Sequence, residues 1–231
     1  MTIDMRKLIF ALLALALLMA CTPENPSPVP QAVDMGTVVN GKNVKWASSN
    51  LGASKPEEYG DYYAWGETEP KADYSWAAYK WCDGTTDILT KYNSSSSYAG
   101  TVDDITELQR GENPGETVDD VARAKLGGKW RMPTDAEWKA LMETCSWEWT
   151  TRNGVKGRLV KATNGNSIFL PAAGKWDDTA LGGDGSYGRY WSSSLYAESP
   201  LSAWYVFFNS AHVLGDGDGR SRGLSVRPVT E

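Results

Sequence analysis

Three Asn-Gly dipeptides, Asn40-Gly41, Asn153-Gly154 and Asn164-Gly165, each adjoin short runs of strand-forming residues. Asn-Gly accepts positive φ at both central positions of a type I′ turn, whose twist matches that of an antiparallel ribbon. The first predicts a hairpin from Val38-Val39 into Val44-Lys45-Trp46, and the second a hairpin from Trp147–Arg152 into Val155–Ala162. The third leads into the apolar run Ser167–Pro171. A chain punctuated in this way is committed to antiparallel sheet over much of its length.

Helix signals occur in only one region. Thr134-Asp-Ala-Glu137 reads as a capping box, with Trp138, Leu141, Met142 and Cys145 on one apolar face. Before it, Thr117 is expected to cap a helix carrying Val118, Val121, Ala122 and Lys125, stopped by Gly127-Gly128. Asp119 and Asp120 then read as favourable charges at its positive end. The Ser-, Asp- and Gly-rich stretch from Glu69 to Gly115 is expected to be a long loop or insertion, and Gly174 to Gly188 a glycine-rich loop. Strands, two helices and then a largely antiparallel sheet make an α+β arrangement.

The C-terminal segment holds the candidate site. In Ala203–Asn209 the residues Trp204, Val206 and Phe208 share one face of a period-two strand, and Tyr205, Phe207 and Asn209 share the other. The expectation is that one row packs inward and the other is offered to a ligand.

The N-terminal end bears on location. Arg6 and Lys7 precede an apolar run from Leu8 to Met19, which ends in Leu18-Met-Ala-Cys21. That is the pattern of a secretory signal, residues 1–20, with a bacterial lipoprotein cleavage site that makes Cys21 the lipid-bearing residue and membrane anchor. Residues 21–34 follow as a tether carrying Pro23, Pro26, Pro28 and Pro30, and residues 35–231 form the domain. A net charge of -6, with acids and bases mixed, argues against a nucleic-acid partner. Of three cysteines, Cys82 and Cys145 remain after Cys21, open to a disulfide or to two thiols.

No residue pattern demands chemistry. His212, the single histidine, has no nucleophile-elbow serine to serve, and with two cysteines it is too little for a closed zinc site. Adjacent carboxylates at Asp103-Asp104, Asp119-Asp120 and Asp177-Asp178 do not place two groups across a substrate. Gly182-Gly-Asp-Gly185 lacks the lysine of a phosphate loop. Gly215-Asp-Gly-Asp-Gly219 lacks the spacing and closing glutamate of a calcium loop and reads as a flexible turn. Neither catalytic residues, metal nor cofactor is expected.

Several blocks carry a family resemblance. Val44-Lys-Trp-Ala-Ser-Ser-Asn-Leu-Gly52, Tyr59-Gly-Asp-Tyr-Tyr-Ala-Trp-Gly-Glu67, Trp130-Arg-Met-Pro-Thr-Asp-Ala-Glu-Trp138, Gly165–Gly174, Tyr190-Trp-Ser-Ser-Ser194 and Ser225-Val-Arg-Pro-Val229 together resemble the Fibrobacter succinogenes major paralogous domain family. That family is common among secreted proteins and lipoproteins of gut Bacteroidota. The resemblance implies a C-type-lectin-like fold, shared with formylglycine-generating enzymes and with the variable proteins of diversity-generating retroelements. The late cysteines of those enzymes are missing after Cys145, and so are the Glu-Pro-Asn and Trp-Asn-Asp signatures of calcium-dependent lectins. Glu24 beside Cys21 is in keeping with display at the outer membrane or cell surface, and Asp178-Thr179-Ala180 is similar to a Bacteroidota O-glycosylation sequence.

The final segment resembles a retroelement variable region. That likeness implies a frame of Trp191, Ser192, Ser193, Ser194, Trp204, Val206, Phe208, Gly223, Val226, Arg227 and Pro228. It implies ligand contacts at Tyr196, Ser199, Leu201, Ser202, Tyr205, Phe207, His212, Leu214, Asp216, Asp218, Ser221 and Leu224. The expected activity is binding of a protein or glycan by an anchored receptor. An invariant adhesin or structural envelope component, and less so an enzyme, are the alternatives.

Overall fold

The computed structural model describes residues 29–196 and 198–231. The signal sequence, Cys21 and most of the proline-rich stretch lie outside the described residues. Strand β1 (Ala32–Val39) already begins within the segment read as a tether. It turns through Asn40 (φ 52°) and Gly41 (φ 77°) into β2 (Lys42–Ala47), the hairpin the Asn-Gly pair predicts.

Strand β3 is the short Tyr62–Tyr63. From Glu69 to Gly115 there is a single 3-10 turn, Trp76–Ala78, with isolated bridges. This segment is irregular as expected but is packed, with Tyr74, Tyr79, Leu89 and Tyr92 all buried. Helices α1 (Val121–Leu126) and α2 (Asp135–Thr144) follow. In α2 the Thr134 side chain accepts from the Glu137 N–H while Glu137 accepts from the Thr134 N–H, so the capping box is formed.

Strands β4 (Ser146–Arg152), β5 (Val155–Lys161) and β6 (Ser167–Pro171) make one antiparallel sheet in that order. The remaining strands are β7 (Ala173–Asp177), β8 (Ala180–Asp184), β9 (Gly188–Leu195), β10 (Ser202–Phe208), β11 (Val213–Gly219), β12 (Leu224–Ser225) and β13 (Val229–Thr230). The central sheet runs β11-β10-β9-β12-β3, with β7 on β9 and β8 on β7, while β13 joins the open side of β2. The fold is thus mixed α+β, mostly sheet, with two helices among the described residues.

Four sequence expectations are corrected. Helix α1 is capped by Asp120, whose side chain accepts from the Arg123 N–H, and Thr117 instead donates to Asp119. Asp120 thereby sits at the positive end of the helix as expected, but Asp119, wholly buried, instead bonds Lys91 and Tyr92 of the long segment. The Gly174–Gly188 loop contains the β7–β8 hairpin, turned at Asp178-Thr179 with Asp178 at φ 51°. Gly215–Gly219 is no flexible turn but part of β11, paired along its length with β10.

Each face of the central sheet carries a core. Val206 and Phe208 pack with Trp46, Trp138, Leu141, Leu170 and Tyr190, the Trp46 and Trp138 rings lying 4.6 Å apart. Tyr205 and Ala203 pack on the opposite side with Trp191, Trp65, Tyr63 and Leu224. Every deep indole has an acceptor: Trp65 Nε1 donates to Ser192 O, Trp138 Nε1 to Trp191 O and Trp191 Nε1 to Tyr63 O. These bonds stitch α2 and β3 to β9 without leaving buried donors unpaired.

Candidate binding surface

Strand β10 is central, flanked by β9 and β11, so its two rows of side chains are both covered where the cores meet it. Tyr205 and Val206 are 4% and 1% exposed, and the inward-row, outward-row division expected from period two therefore fails. Tyr205, Ser221 and Leu224 are packing residues, not contacts. Trp204, assigned to the frame, is half-buried at the surface. Exposure returns only at the ends of β10 and along β11, the edge strand.

On the Tyr205 side, the register places Arg189 opposite Phe207, Phe207 opposite Leu214, Tyr205 opposite Asp216 and Ala203 opposite Asp218. Leu214 is 41% exposed and Asp216 is exposed, while Phe207 and Asp218 are half-buried. The Arg189 guanidinium lies 4.9 Å from the Tyr205 ring centre and 5.6 Å from those of Tyr187 and Phe207. It pairs with Asp218, and Lys175 Nζ stands 3.7 Å from the same carboxylate. Asp177 bridges Lys175 to Arg222. Burial pulls the Lys175 ammonium below its ordinary pKa, with Asp218 opposing and Arg189 and Arg222 reinforcing the shift. Burial also pushes the Tyr205 phenol up to about 12.

Among the described residues Arg189 Nε is buried without an acceptor, so this aromatic and ionic patch retains an unspent donor. Along β11, Asp216 and Asp218 each accept from the N–H of the following glycine, at 2.8 and 2.9 Å. Side chains thereby occupy backbone donors of the edge strand and discourage strand-to-strand addition.

A second group, half-buried apart from an exposed lysine, lies on the other side of the sheet. Tyr196 and Trp204 rings are 4.6 Å apart, and Lys139 Nζ stands 4.9 Å from the Trp204 ring centre. Gly217 makes this contact fit: a Cβ there would come within 2.8 Å of the Tyr196 ring. Tyr196 and Ser202 close a tight connection through Ser199, whose N–H donates to Tyr196 O at 3.0 Å. Tyr196, Ser199 and Ser202 are thus brought together, joined by Trp204 and Lys139.

The other expected contacts are scattered. His212 is exposed at the β10–β11 turn, and Leu201 packs against the cluster around Tyr74 and Tyr79. Sequence reasoning missed Arg189, Lys175, Tyr187 and Lys139, since a cross-strand partner is visible only once the register is known. Cys82 and Cys145 are unbonded, each in a different cluster: the Cys82 thiol donates to Trp76 O and the Cys145 thiol to Met35 O. The disulfide alternative is therefore not realised.

Comparison with protein-family models finds no match, and comparisons with curated proteins and with solved structures find none either. Among the described residues no helix is long and apolar enough to cross a membrane.

Proposed function

We propose that this chain is a lipid-anchored envelope or surface protein with a C-type-lectin-like fold, which binds a protein or glycan through its C-terminal strands. The observation that carries the reading is the patch of Leu214, Asp216 and Asp218 on the edge strand β11 with Phe207 of β10, Arg189 of β9 and the adjoining Tyr187, beside a strand locked between two cores. Aromatic rings give contact area at low rotamer cost, and the adjoining carboxylates and guanidinium supply directional bonds. Diversification of this patch by a retroelement is part of the proposal, and Tyr196 with Trp204 extends it across the strand edge.

Arrays of glycans and purified envelope proteins, probed with the wild type and with a Phe207→Ser, Leu214→Ser, Asp216→Ala variant, test this. Ligands retained by the wild type and lost by the variant support the site; ligands retained equally by both contradict it. In the surrounding DNA, a reverse transcriptase beside an imperfect repeat of the last coding segment, differing at adenines, is the expected mark of diversification. An intact neighbourhood without either would reduce the reading to an invariant binder.

A further inference from the structure

A cleft of about 300 Å³, whose lining includes none of the C-terminal contact positions, is formed by Lys42, Arg110, Arg123, Lys129 and Arg131 together with Glu112 and Glu231. Five cations on one concavity are unusual in a chain of net charge -6. They arrive from separate elements: Lys42 from β2, Arg110 from the long irregular segment, Arg123 from α1, and Lys129 and Arg131 from the connection to α2.

Two of them form a rigid floor. Arg131 grips buried Glu137 with two bonds, at 2.7 and 2.5 Å, and Arg110 lies 3.4 Å from buried Asp120 and 3.3 Å from the Ser193 hydroxyl. Interior carboxylates neutralise this pair. The remaining cations are held differently. Among the described residues Arg123 Nη2 has only Glu112 at 3.4 Å, on a side chain 63% exposed, and Arg123 Nε is buried with no acceptor. Lys129 is exposed, with no carboxylate within 4.0 Å among the described residues. Lys42 pairs with Glu231 at 3.1 Å, and Arg131 lies 3.7 Å from the same carboxylate.

The cleft therefore already holds two carboxylates, those of Glu112 and Glu231, 63% and 35% exposed. The bond to Lys42 keeps the Glu231 carboxyl below its ordinary pKa. Pairs of this exposed kind are weak and yield to a better-placed anion, whereas forked guanidinium groups suit planar carboxylates and tetrahedral sulfates alike. The volume suits a monosaccharide-sized ligand.

We propose that this cleft is a binding site for a small carboxylate- or sulfate-bearing ligand, its oxyanion held by Arg123 and Lys129 over the Arg110 and Arg131 floor. Glu112 and Glu231 are the resident occupants that the ligand displaces. The site is independent of the C-terminal surface and stands or falls separately from it.

Calorimetric titration of the purified protein at constant ionic strength, with sodium sulfate and sodium glucuronate as probes and glucose as the neutral control, tests it. At least one anion should bind saturably and glucose should not; which anion binds distinguishes sulfate from carboxylate recognition. The Arg123→Gln, Lys129→Gln variant should bind at least tenfold more weakly, the scale of one charge-assisted hydrogen bond. Glu231→Gln should bind several-fold more tightly, because a competitor is gone. Absence of saturable binding by both anions, or wild-type affinity in the double variant together with no gain from Glu231→Gln, would overturn the proposal.

Discussion

Arg227 is fully buried and faces no carboxylate within 4.0 Å among the described residues; its guanidinium donates to Asn50 Oδ1, Ala47 O and Phe169 O. One side chain thus ties the end of β2 and strand β6 to the C-terminal segment, and burial lowers its pKa to about 10. Arg227→Met strands those acceptors and should cost about 2–4 kcal/mol, seen as a lower urea midpoint at unchanged slope. Glu107 offers a test by pH. Its carboxyl accepts from the Ser193 and Ser194 hydroxyls, yet burial raises its pKa above the ordinary 4.5 despite those bonds. A carboxyl whose folded pKa is raised takes up its proton more readily in the native state, so the wild type should gain stability over Glu107→Gln as pH falls through that raised value toward 4.5. Below 4.5 both states are protonated and the difference should level off; urea melts of both proteins across the range, showing instead a loss on acidification, would reverse the assigned shift.

The elements legible in the sequence are those with a local chemical cause. Asn40-Gly41 and Asn153-Gly154 carry positive φ where the hairpins turn, and the Thr134–Glu137 pair caps α2 through its own side chains. Thr134→Ala should therefore cost about 1 kcal/mol in thermal unfolding, with a loss below a few tenths meaning that the box is redundant. What was hidden depends on distant partners. Strand β11 shows no apolar alternation, because glycines fill the row facing Tyr196 and α2, and only its pairing with β10 makes it a strand. The β7–β8 hairpin turns on Asp178 without a following glycine. Thr117 lost the α1 cap to Asp120 because Asp119, where it donates, is claimed by Lys91 and Tyr92 from the long segment. The candidate site was half legible for the same reason: Leu214, Asp216 and Phe207 emerge at the surface, but Tyr205 is enclosed by a core that alternation along one strand does not reveal.

At the scale of the whole molecule, a sheet buried on both faces leaves its edge strand as the place where residues can change without disturbing the cores. Tyr205→Ala should cost about 3 kcal/mol or more, whereas Leu214→Ala should fall within about 0.5 kcal/mol of the wild type in chemical denaturation. The architecture thus separates positions that carry the cores from positions that can vary, which is what the proposed diversified receptor requires. The most direct test is a displayed library randomised at Tyr196, Tyr205, Leu214, Asp216, Ser221 and Leu224 and selected only for protease resistance. The account predicts that survivors accept many residue types at Tyr196, Leu214 and Asp216, but keep Tyr205, Ser221 and Leu224 nearly unchanged. Survivors that instead hold Leu214 and Asp216 fixed while Tyr205 varies freely would contradict it.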